Sequence, residues 1–201
     1  MDADTRLLVE KSQHGDTTAF GQLVEIYQNR VYALCYQLTN SHYDAQDLAQ
    51  EAFVRAYKSM HGFRKEADFG TWLHRITVNQ WINIKRRRKN EISLDANIKT
   101  NDGGELTMEV ASDNETPEEA VERWEFNSLV KTAFKELSQE HRTVLVLREM
   151  QGYNYDEIAG IMNCSLGTVK SRINRARQQL KEKITLQARA GSINLPYGNR
   201  N

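Results

Sequence analysis

Residues 147–177, LREMQGYNYDEIAGIMNCSLGTVKSRINRAR, carry the most specific local pattern in this chain of 201 amino acids. Asn154 followed three positions later by Glu157 has the form of a capping box, which predicts a short helix directly after it. Ser165 is placed to cap a longer, arginine-rich helix that is expected to end near Ile184. A short capped helix, a tight turn and a longer basic helix are the layout of a helix-turn-helix, so this segment predicts a duplex-binding element.

The longer helix of this motif has one apolar side and an opposite polar side. Val169 is taken as the origin of a helical projection at about 100° per residue. Ile173, Ala176 and Leu180 then fall within about 40° of it and form the side predicted to be buried. The opposite side carries residue types that bind guanine or adenine edges, and its flanks carry cations that suit phosphates; a solvated basic face is the plainer alternative. The residues of this helix predicted to contact DNA are Lys170, Ser171, Arg172, Asn174, Arg175, Arg177 and Gln178.

Two further helices precede the motif. Thr116 as an N-cap and Pro117 at the first helical position predict a helix that runs to about Leu137. Ser138 starts the next helix, which is expected to run through Met150 and to stop at Gly152. With the two helices of the motif they make a predicted four-helix domain over residues 116–185.

The first part of the chain is also predicted to be helical. Apolar residues recur at three-and-four spacing over 18–38 and 44–60, and a third helix is expected over 68–89, with apolar positions on more than one face. Ser41 and Asp44 are placed like a capping pair ahead of the second of these helices. No useful length of the sequence alternates with a period of two. The expected fold class is therefore all-α, with two small helical domains, at 1–90 and 116–185, joined by a linker.

The charges are distributed unevenly along the chain. The 27 basic and 27 acidic residues cancel overall, but residues 1–90 carry a net +3, residues 91–123 a net −8 and residues 124–201 a net +5. Two basic blocks around an acidic one exclude a uniformly basic coat protein and suit two polyanion-facing ends. Residues 91–115 lack helical periodicity and predict a flexible acidic linker, and residues 186–201 predict a disordered tail.

Several classes of function are excluded by what the sequence lacks. Cys35 and Cys164 are far apart, and the five histidines do not form a metal-binding motif, so no metal is expected. There is no P-loop or GxGxxG motif, so no cofactor and no catalytic centre are expected. No run of about 18 apolar residues and no signal peptide occur, which predicts a cytoplasmic protein without membrane insertion.

Two surfaces of the first lobe carry candidate binding residues. The outward side of the 44–60 helix presents Asp47, Gln50 and Glu51, for which an ordinary solvated face is the plainer reading. Residues 63–90 interleave Trp72 and Trp81 with cations. Aromatic side chains among cations can stack on unpaired bases, whereas core packing is the alternative for both tryptophans.

Three strings in this order, DAQDLAQEAFVRAY at 44–57, FGTWLHRITVN at 69–79 and the 147–177 segment, resemble the extracytoplasmic-function branch of the bacterial sigma-factor family. The resemblance covers about residues 4–184. It implies a non-catalytic specificity subunit of RNA polymerase, whose first lobe engages the promoter −10 element and whose second lobe reads the −35 element.

The resemblance also implies roles for individual residues. The helix at 44–57 would dock on the clamp helices of the polymerase largest subunit, and the acidic linker would thread into polymerase channels. Asn174 departs from the aromatic residue found there in some members. The implied contacts are Asp47, Gln50 and Glu51 for polymerase; Trp72, Asn79, Trp81, Lys85, Arg86, Arg87 and Arg88 for the −10 element; and Arg148, Lys170, Ser171, Arg172, Asn174, Arg175 and Arg177 for the −35 element.

The partners that the resemblance implies are core RNA polymerase, promoter DNA and an anti-sigma factor covering both lobes, with a free chain that is monomeric. Flipping a base out of the −10 element costs a few kcal/mol, which stacking partners must offset. The alternative is a stand-alone dimeric helix-turn-helix regulator, which would bind its operator tightly without polymerase. A small nuclease is a third possibility, and it would need clustered carboxylates that the sequence does not show.

Overall fold

The structure is a computed structural model that describes residues 2–65, 67–94 and 116–191. Every regular element in these ranges is helical, which confirms the all-α prediction. The first lobe comprises α1 to α4, and the second lobe comprises α5 to α8. The helices of the described residues are α1 (Ala3–Gln13), α2 (Thr17–Thr39), α3 (His42–Ser59), α4 (Phe69–Leu94), α5 (Pro117–Lys135), α6 (Gln139–Leu145), α7 (Tyr155–Met162) and α8 (Leu166–Gly191).

Side-chain caps define where the helices of the first lobe begin. Asp16 accepts a hydrogen bond from the backbone N–H of Ala19 at 3.0 Å and starts α2. Ser41 does the same for the N–H of Asp44 at 3.3 Å and starts α3, as the sequence predicts. Asn40 between the two helices has φ 54°, a left-handed conformation that ends α2 and turns the chain. The apolar stripes of α2 and α3 can therefore pack against each other.

A close approach fixes the start of α4, the helix that carries the second string of the family resemblance. Asp68 accepts a hydrogen bond from the N–H of Gly70 at 2.9 Å. A Cβ atom on Gly70 would lie 2.9 Å from Cε1 of Tyr27, closer than non-bonded carbons approach. Tyr27 is itself buried and packs edge-to-face on Phe69 at 5.1 Å between ring centroids. Glycine at this position thus permits α4 to lie directly against α2.

The helix-turn-helix forms as the sequence predicts. The capping box is complete, because Asn154 accepts from the N–H of Glu157 at 2.9 Å and Glu157 accepts from the N–H of Asn154 at 2.8 Å. Asn163 ends α7 with φ 50°. On α8, Val169, Ile173 and Ala176 are fully buried, as the helical projection predicts.

Two predicted boundaries differ from the structure. Helix α4 continues to Leu94, past the predicted end at residue 89, because no glycine or proline interrupts it. Helix α8 continues to Gly191, so the predicted disorder of 186–201 is wrong for residues 186–191. Glu136, just after α5, accepts hydrogen bonds from Lys183 at 2.8 Å and Gln187 at 2.9 Å and holds this extension in place. The rest of the predicted linker and tail, 95–115 and 192–201, lies outside the described residues.

The helix predicted from Ser138 to Met150 contains a change of helix type. Helix α6 gives way at Val146–Met150 to a π-helical turn, in which the N–H of Gln151 bonds to the carbonyl of Val146 at 3.0 Å. Single π-helical turns inside helices are frequent at functional sites. Here the turn leads directly into the loop before α7.

Replacing Gly70 with alanine should destabilise the first lobe, since Tyr27 or the start of α4 must move. The expected loss in the free energy of unfolding is about 1–3 kcal/mol, the usual cost of overpacking. The control is Gly21→Ala in α2, where nothing lies within 4 Å of the added Cβ. This control should gain about 0.5–1 kcal/mol from helix propensity. Thermal denaturation followed by circular dichroism measures both, and equal shifts in the two variants would contradict the close approach.

Candidate nucleic-acid and partner interfaces

The residues of α8 that are predicted to contact DNA lie outside the protein core. Residues 170, 171, 174, 175, 177 and 178 are exposed, and Arg172 is half-buried. They lie opposite the buried apolar stripe on the same helix. The structure therefore brings the predicted duplex-contacting residues of α8 together on one accessible face.

Two flanking cations of this face are held by carboxylates of their own lobe. Arg172 lies 3.0 Å from Glu140, and Arg177 lies 2.6 Å from Glu149. The hydrogen bonds to Glu149 raise the pKa of Arg177. Both partners of the second pair are about half exposed, and exposed pairs contribute little to stability. A phosphate can therefore replace either carboxylate at small cost.

Arg148 has a different place from the other predicted −35 residues. It is half-buried, donates a hydrogen bond from Nη1 to the carbonyl of Tyr153 at 2.9 Å, and lies over the ring of Tyr155 at 5.2 Å. These contacts join the π-helical turn to the first turn of α7. Arg148 therefore positions the helix-turn-helix, a role that the sequence spacing did not indicate.

The outward side of α3 forms a mixed polar and apolar surface. Asp47, Gln50 and Glu51 are all exposed, as predicted. Val54 and Tyr57, which follow at helical spacing, are 47% and 40% exposed. Exposed apolar side chains beside charged ones are typical of protein-binding surfaces, and these two extend the stripe predicted from the sequence.

The predicted −10 residues occupy different environments. Trp72 is half-buried, with its ring 4.8 Å from Phe63 and 5.6 Å from Phe69, and Asn79 is also half-buried. Trp81 is only 3% exposed, so core packing, the alternative left open by the sequence, describes it in this structure. Helix α4 continues through 85–88, but the side chains of Lys85, Arg86, Arg87 and Arg88 lie outside the described ones.

A cleft of about 560 Å³ opens beside Trp72 between the two lobes. Its first-lobe wall carries aromatic rings and cations, and its second-lobe wall is formed by α7, which carries two carboxylates in its first turn. The side chains that give the cleft this character are Phe63, Arg64, Trp72 and Arg75 on one wall and Asp156 and Glu157 on the other.

Hydrogen bonds between side chains also join the two lobes. The hydroxyl of Tyr153 lies 2.7 Å from Nδ1 of His74, and Gln151 donates to the side-chain carbonyl of Gln37 at 2.8 Å. Burial, assisted by the charge of Arg30, lowers the pKa of His74 to about 4. The imidazole is therefore neutral at neutral pH and can share a single proton with the phenol.

Two further contacts run from α6 to backbone carbonyls of the first lobe. Gln139 donates to the carbonyl of Trp81 at 3.1 Å, and Arg142 reaches the carbonyl of Leu38 at 3.5 Å. Leu38 lies in the last turn of α2, where a cation complements the helix dipole. This interface was not predicted, although α4 showed apolar positions on more than one face, which is the sequence signal of a helix packed on two sides.

Other kinds of site are not seen in the residues that the structure describes. Over 2–65, 67–94 and 116–191, no group of three or more His, Cys, Asp or Glu side chains could hold a metal ion. Over the same ranges, no helix has both the length and the apolar character that a membrane crossing requires.

Comparison with known proteins assigns both lobes. Residues 23–91 match the family model for Sigma-70 region 2, and residues 128–180 match that for Sigma-70, region 4. The ECF RNA polymerase sigma factor SigW of Bacillus subtilis is 35% identical over 176 residues, which cover 88% of this chain and 94% of that protein. The ECF RNA polymerase sigma-E factor of Haemophilus influenzae is 40% identical over 181 residues, covering 88% and 93%.

Solved structures share the fold. The sigma factor RpoE of Bartonella quintana, crystallised with the anti-sigma factor NepR, superposes with a TM-score of 0.63 at 24% identity, covering 83% of this chain and 96% of that one. CnrH in complex with the cytosolic domain of CnrY gives a TM-score of 0.60 at 23% identity, covering 92% and 99%. The two matched regions and the full-length relatives place this chain in the extracytoplasmic-function family of RNA polymerase sigma factors.

Proposed function

We propose that this chain acts in the cytoplasm, where it directs core RNA polymerase to a set of promoters by reading −35 duplex with α8 and engaging the −10 element with the first lobe. The observation that carries the proposal is the exposed polar face of α8, set opposite a fully buried apolar stripe in a completely capped helix-turn-helix. The chain contributes specificity, and the polymerase contributes catalysis.

Helix α8 supplies the chemistry for reading a duplex. The major groove is about 12 Å wide and admits one α-helix. On the exposed face, Arg175 can fork onto guanine and Asn174 can pair with adenine, while Lys170 at the edge is placed for a phosphate. Arg172 and Arg177 would exchange their carboxylate partners for phosphates.

The cleft beside Trp72 is the proposed site for an unpaired −10 base. Half-buried Trp72 offers an aromatic face supported by the buried ring of Phe63, and Arg64 and Arg75 offer charge for the strand that carries the base. Stacking contributes about 1–3 kcal/mol per base, which is comparable to the few kcal/mol needed to flip one out. Asn79 and the run at 85–88 would extend this contact along α4, whereas Trp81 would support the helix from within.

The outward side of α3 is the proposed polymerase-binding surface. Asp47, Gln50 and Glu51 would make the polar contacts, and Val54 and Tyr57 would supply apolar area beside them. We also propose that an anti-sigma factor binds this chain, because the sigma factor RpoE of Bartonella quintana, which has the same fold, has been solved with such a partner.

Run-off transcription with purified core polymerase tests the proposal directly. Adding this chain should produce transcripts from a subset of promoters in fragments of the source genome, and core polymerase alone should not. The chain without polymerase should show no tight, specific binding to the same promoters. Tight operator binding without polymerase would instead support a stand-alone helix-turn-helix regulator.

Removing one base-reading cation should alter promoter choice. Arg175→Ala should reduce transcription from the promoters identified by about 5- to 150-fold, since a bidentate base contact contributes about 1–3 kcal/mol. Lys181→Ala removes the same charge from the same helix beyond the reading face and should change output less than two-fold. Equal effects of both variants would mean that α8 acts only through its charge.

The polymerase surface can be tested separately from DNA. The double variant Asp47→Ala and Gln50→Ala should weaken binding of the chain to core polymerase by about ten-fold or more, because interface side chains at a binding hot spot each contribute more than 1 kcal/mol. Glu25→Ala on the exposed part of α2 is the control and should bind as the unaltered chain does. Fluorescence anisotropy of the labelled chain titrated with core polymerase measures both, and unchanged affinity of the double variant would exclude this surface.

A further inference from the structure

A second cavity, of about 380 Å³, lies between α2, the start of α4 and the segment that joins α6 to α7. We propose that this cavity binds a small zwitterion whose carboxylate and ammonium groups lie close together, the chemistry of a free α-amino acid. The inference goes beyond the proposed function, because none of the residues proposed to contact DNA or polymerase lines this cavity.

The cavity has the size of a small-molecule site and walls that suit a polar ligand. Small-molecule sites have volumes of about 300–1,000 Å³ and combine apolar surface with a few convergent polar groups. Apolar surface comes here from the rings of Tyr27 and Tyr153 and from Met150, which is 50% exposed. The other polar side chains that line the cavity are Arg30, Asp68, Thr71, His74 and Gln151.

One wall of the cavity is built by the π-helical turn that follows α6. Met150 is the last residue of this turn, and the N–H of Gln151 closes it on the carbonyl of Val146 at 3.0 Å. Gly152 then takes φ 72° and redirects the chain, which brings the hydroxyl of Tyr153 to 2.7 Å from Nδ1 of His74. The turn therefore delivers Met150, Gln151 and Tyr153 to one wall, in keeping with the frequent occurrence of such turns at functional sites.

Arg30 gives the cavity a cation that no other described residue uses. Its side chain is exposed at the cavity, and no described residue forms a hydrogen bond or an ion pair with its guanidinium. The planar fork of a guanidinium matches the two oxygens of a carboxylate. Arg30 is therefore placed to bind the carboxylate of the ligand.

Asp68 brings the opposite charge to the same cavity. Its Oδ1 accepts a hydrogen bond from the N–H of Gly70 at 2.9 Å, which fixes the carboxylate at the start of α4. Burial raises the pKa of Tyr27 and of Tyr153, and the charges of Asp68 and Arg30 act on both phenols in opposite directions. Both charges therefore act at the same place. A ligand that carries one charge of each sign complements them, whereas a dianion is repelled by Asp68.

The remaining polar groups of the walls are neutral. Burial, assisted by the charge of Arg30, lowers the pKa of His74 to about 4, so the imidazole and the two phenols are uncharged at neutral pH. Nε2 of His74 is buried and has no hydrogen-bond partner among the described residues. Buried polar groups of this kind are uncommon and call for an explanation. A ligand carboxylate held by Arg30 would be the acceptor that this wall lacks.

Binding is tested on the full chain, with the protein amino acids as single probes. A probe that binds should raise the melting temperature by about 3–6 °C at about ten times its dissociation constant. Thermal denaturation finds the probe, and isothermal titration calorimetry then gives its dissociation constant. Absence of a shift and of binding heat with every amino acid would overturn the proposal.

Two analogues of the amino acid that binds test the need for both charges. For leucine they are 4-methylpentanoate, which lacks the ammonium group, and 3-methylbutylamine, which lacks the carboxylate. Each should bind about ten-fold or more weakly than the amino acid, because each loses a hydrogen-bonded charge. Equal binding of the deaminated acid would show a site for simple anions and would overturn the zwitterion.

Matched variants test the two residues that carry the charges. Arg30→Gln should weaken binding of the amino acid by about ten-fold or more, whereas Arg6→Gln, an exposed arginine of α1 outside the cavity, should leave it unchanged. Asp68→Asn keeps an oxygen for the N–H of Gly70 and should weaken binding of the amino acid but not of the deaminated acid. Equal affinities of the Arg30 and Arg6 variants, with circular dichroism showing intact helices, would overturn the assignment of this cavity.

These measurements separate the inference from the proposed function. They use neither polymerase nor DNA, so a failure to bind any amino acid leaves promoter-dependent transcription as the test of the proposed function. Absence of promoter-dependent transcripts would in turn refute the proposed function and leave the binding result as it stands.

Discussion

The contact between α7 and α4 is the interaction on which the arrangement of the two lobes depends. Buried apolar residues of both lobes, such as Leu23, Val31 and Leu34 in α2 and Val169 and Ile173 in α8, belong to one apolar cluster. Side-chain and backbone hydrogen bonds add to this apolar contact between the lobes. Hydrogen bonds exchanged for water cost little in net free energy, whereas an exposed core costs a great deal. The shared apolar cluster therefore contributes more to holding the lobes together than these hydrogen bonds do.

Local chemistry explains which parts of the fold could be predicted from the sequence. The capping box at Asn154, the cap at Ser41 and the buried side of α8 each depend on residues within one or two turns, and the structure has all three. Contacts between residues that are distant in the sequence do not follow from such local patterns. The extension of α8 depends on Glu136, which lies 51 residues away from Gln187. The hydrogen bond from Gln139 to the carbonyl of Trp81 joins residues 58 positions apart, and apolar positions on more than one face of α4 do not identify such a partner.

The candidate sites divide in the same way. Residues on the exposed sides of α3 and α8 could be found by spacing, because a helix that buries one side must expose the other. The positioning role of Arg148 could not be found in this way, because it depends on contacts with the carbonyl of Tyr153 and the ring of Tyr155. The cations and aromatic rings of residues 63–90 indicate the proposed −10 site. That Asp156 and Glu157 face this site follows only from the packing of α7.

The balance of acidic and basic residues bears on how strongly the free chain can bind DNA without polymerase. Non-specific binding to DNA grows with the number of phosphates that a protein neutralises, and this chain carries 27 basic residues against 27 acidic ones. In the second lobe, Glu140 and Glu149 each lie within hydrogen-bonding distance of an arginine of α8. Exposed pairs of this kind are cheap to break, so they lower the affinity of the free chain for DNA in general and still release their cations to a phosphate that is held in place. In the proposed function, a surface on the polymerase that positions the duplex beside α8 would supply that phosphate at high effective concentration, which a free promoter in solution does not.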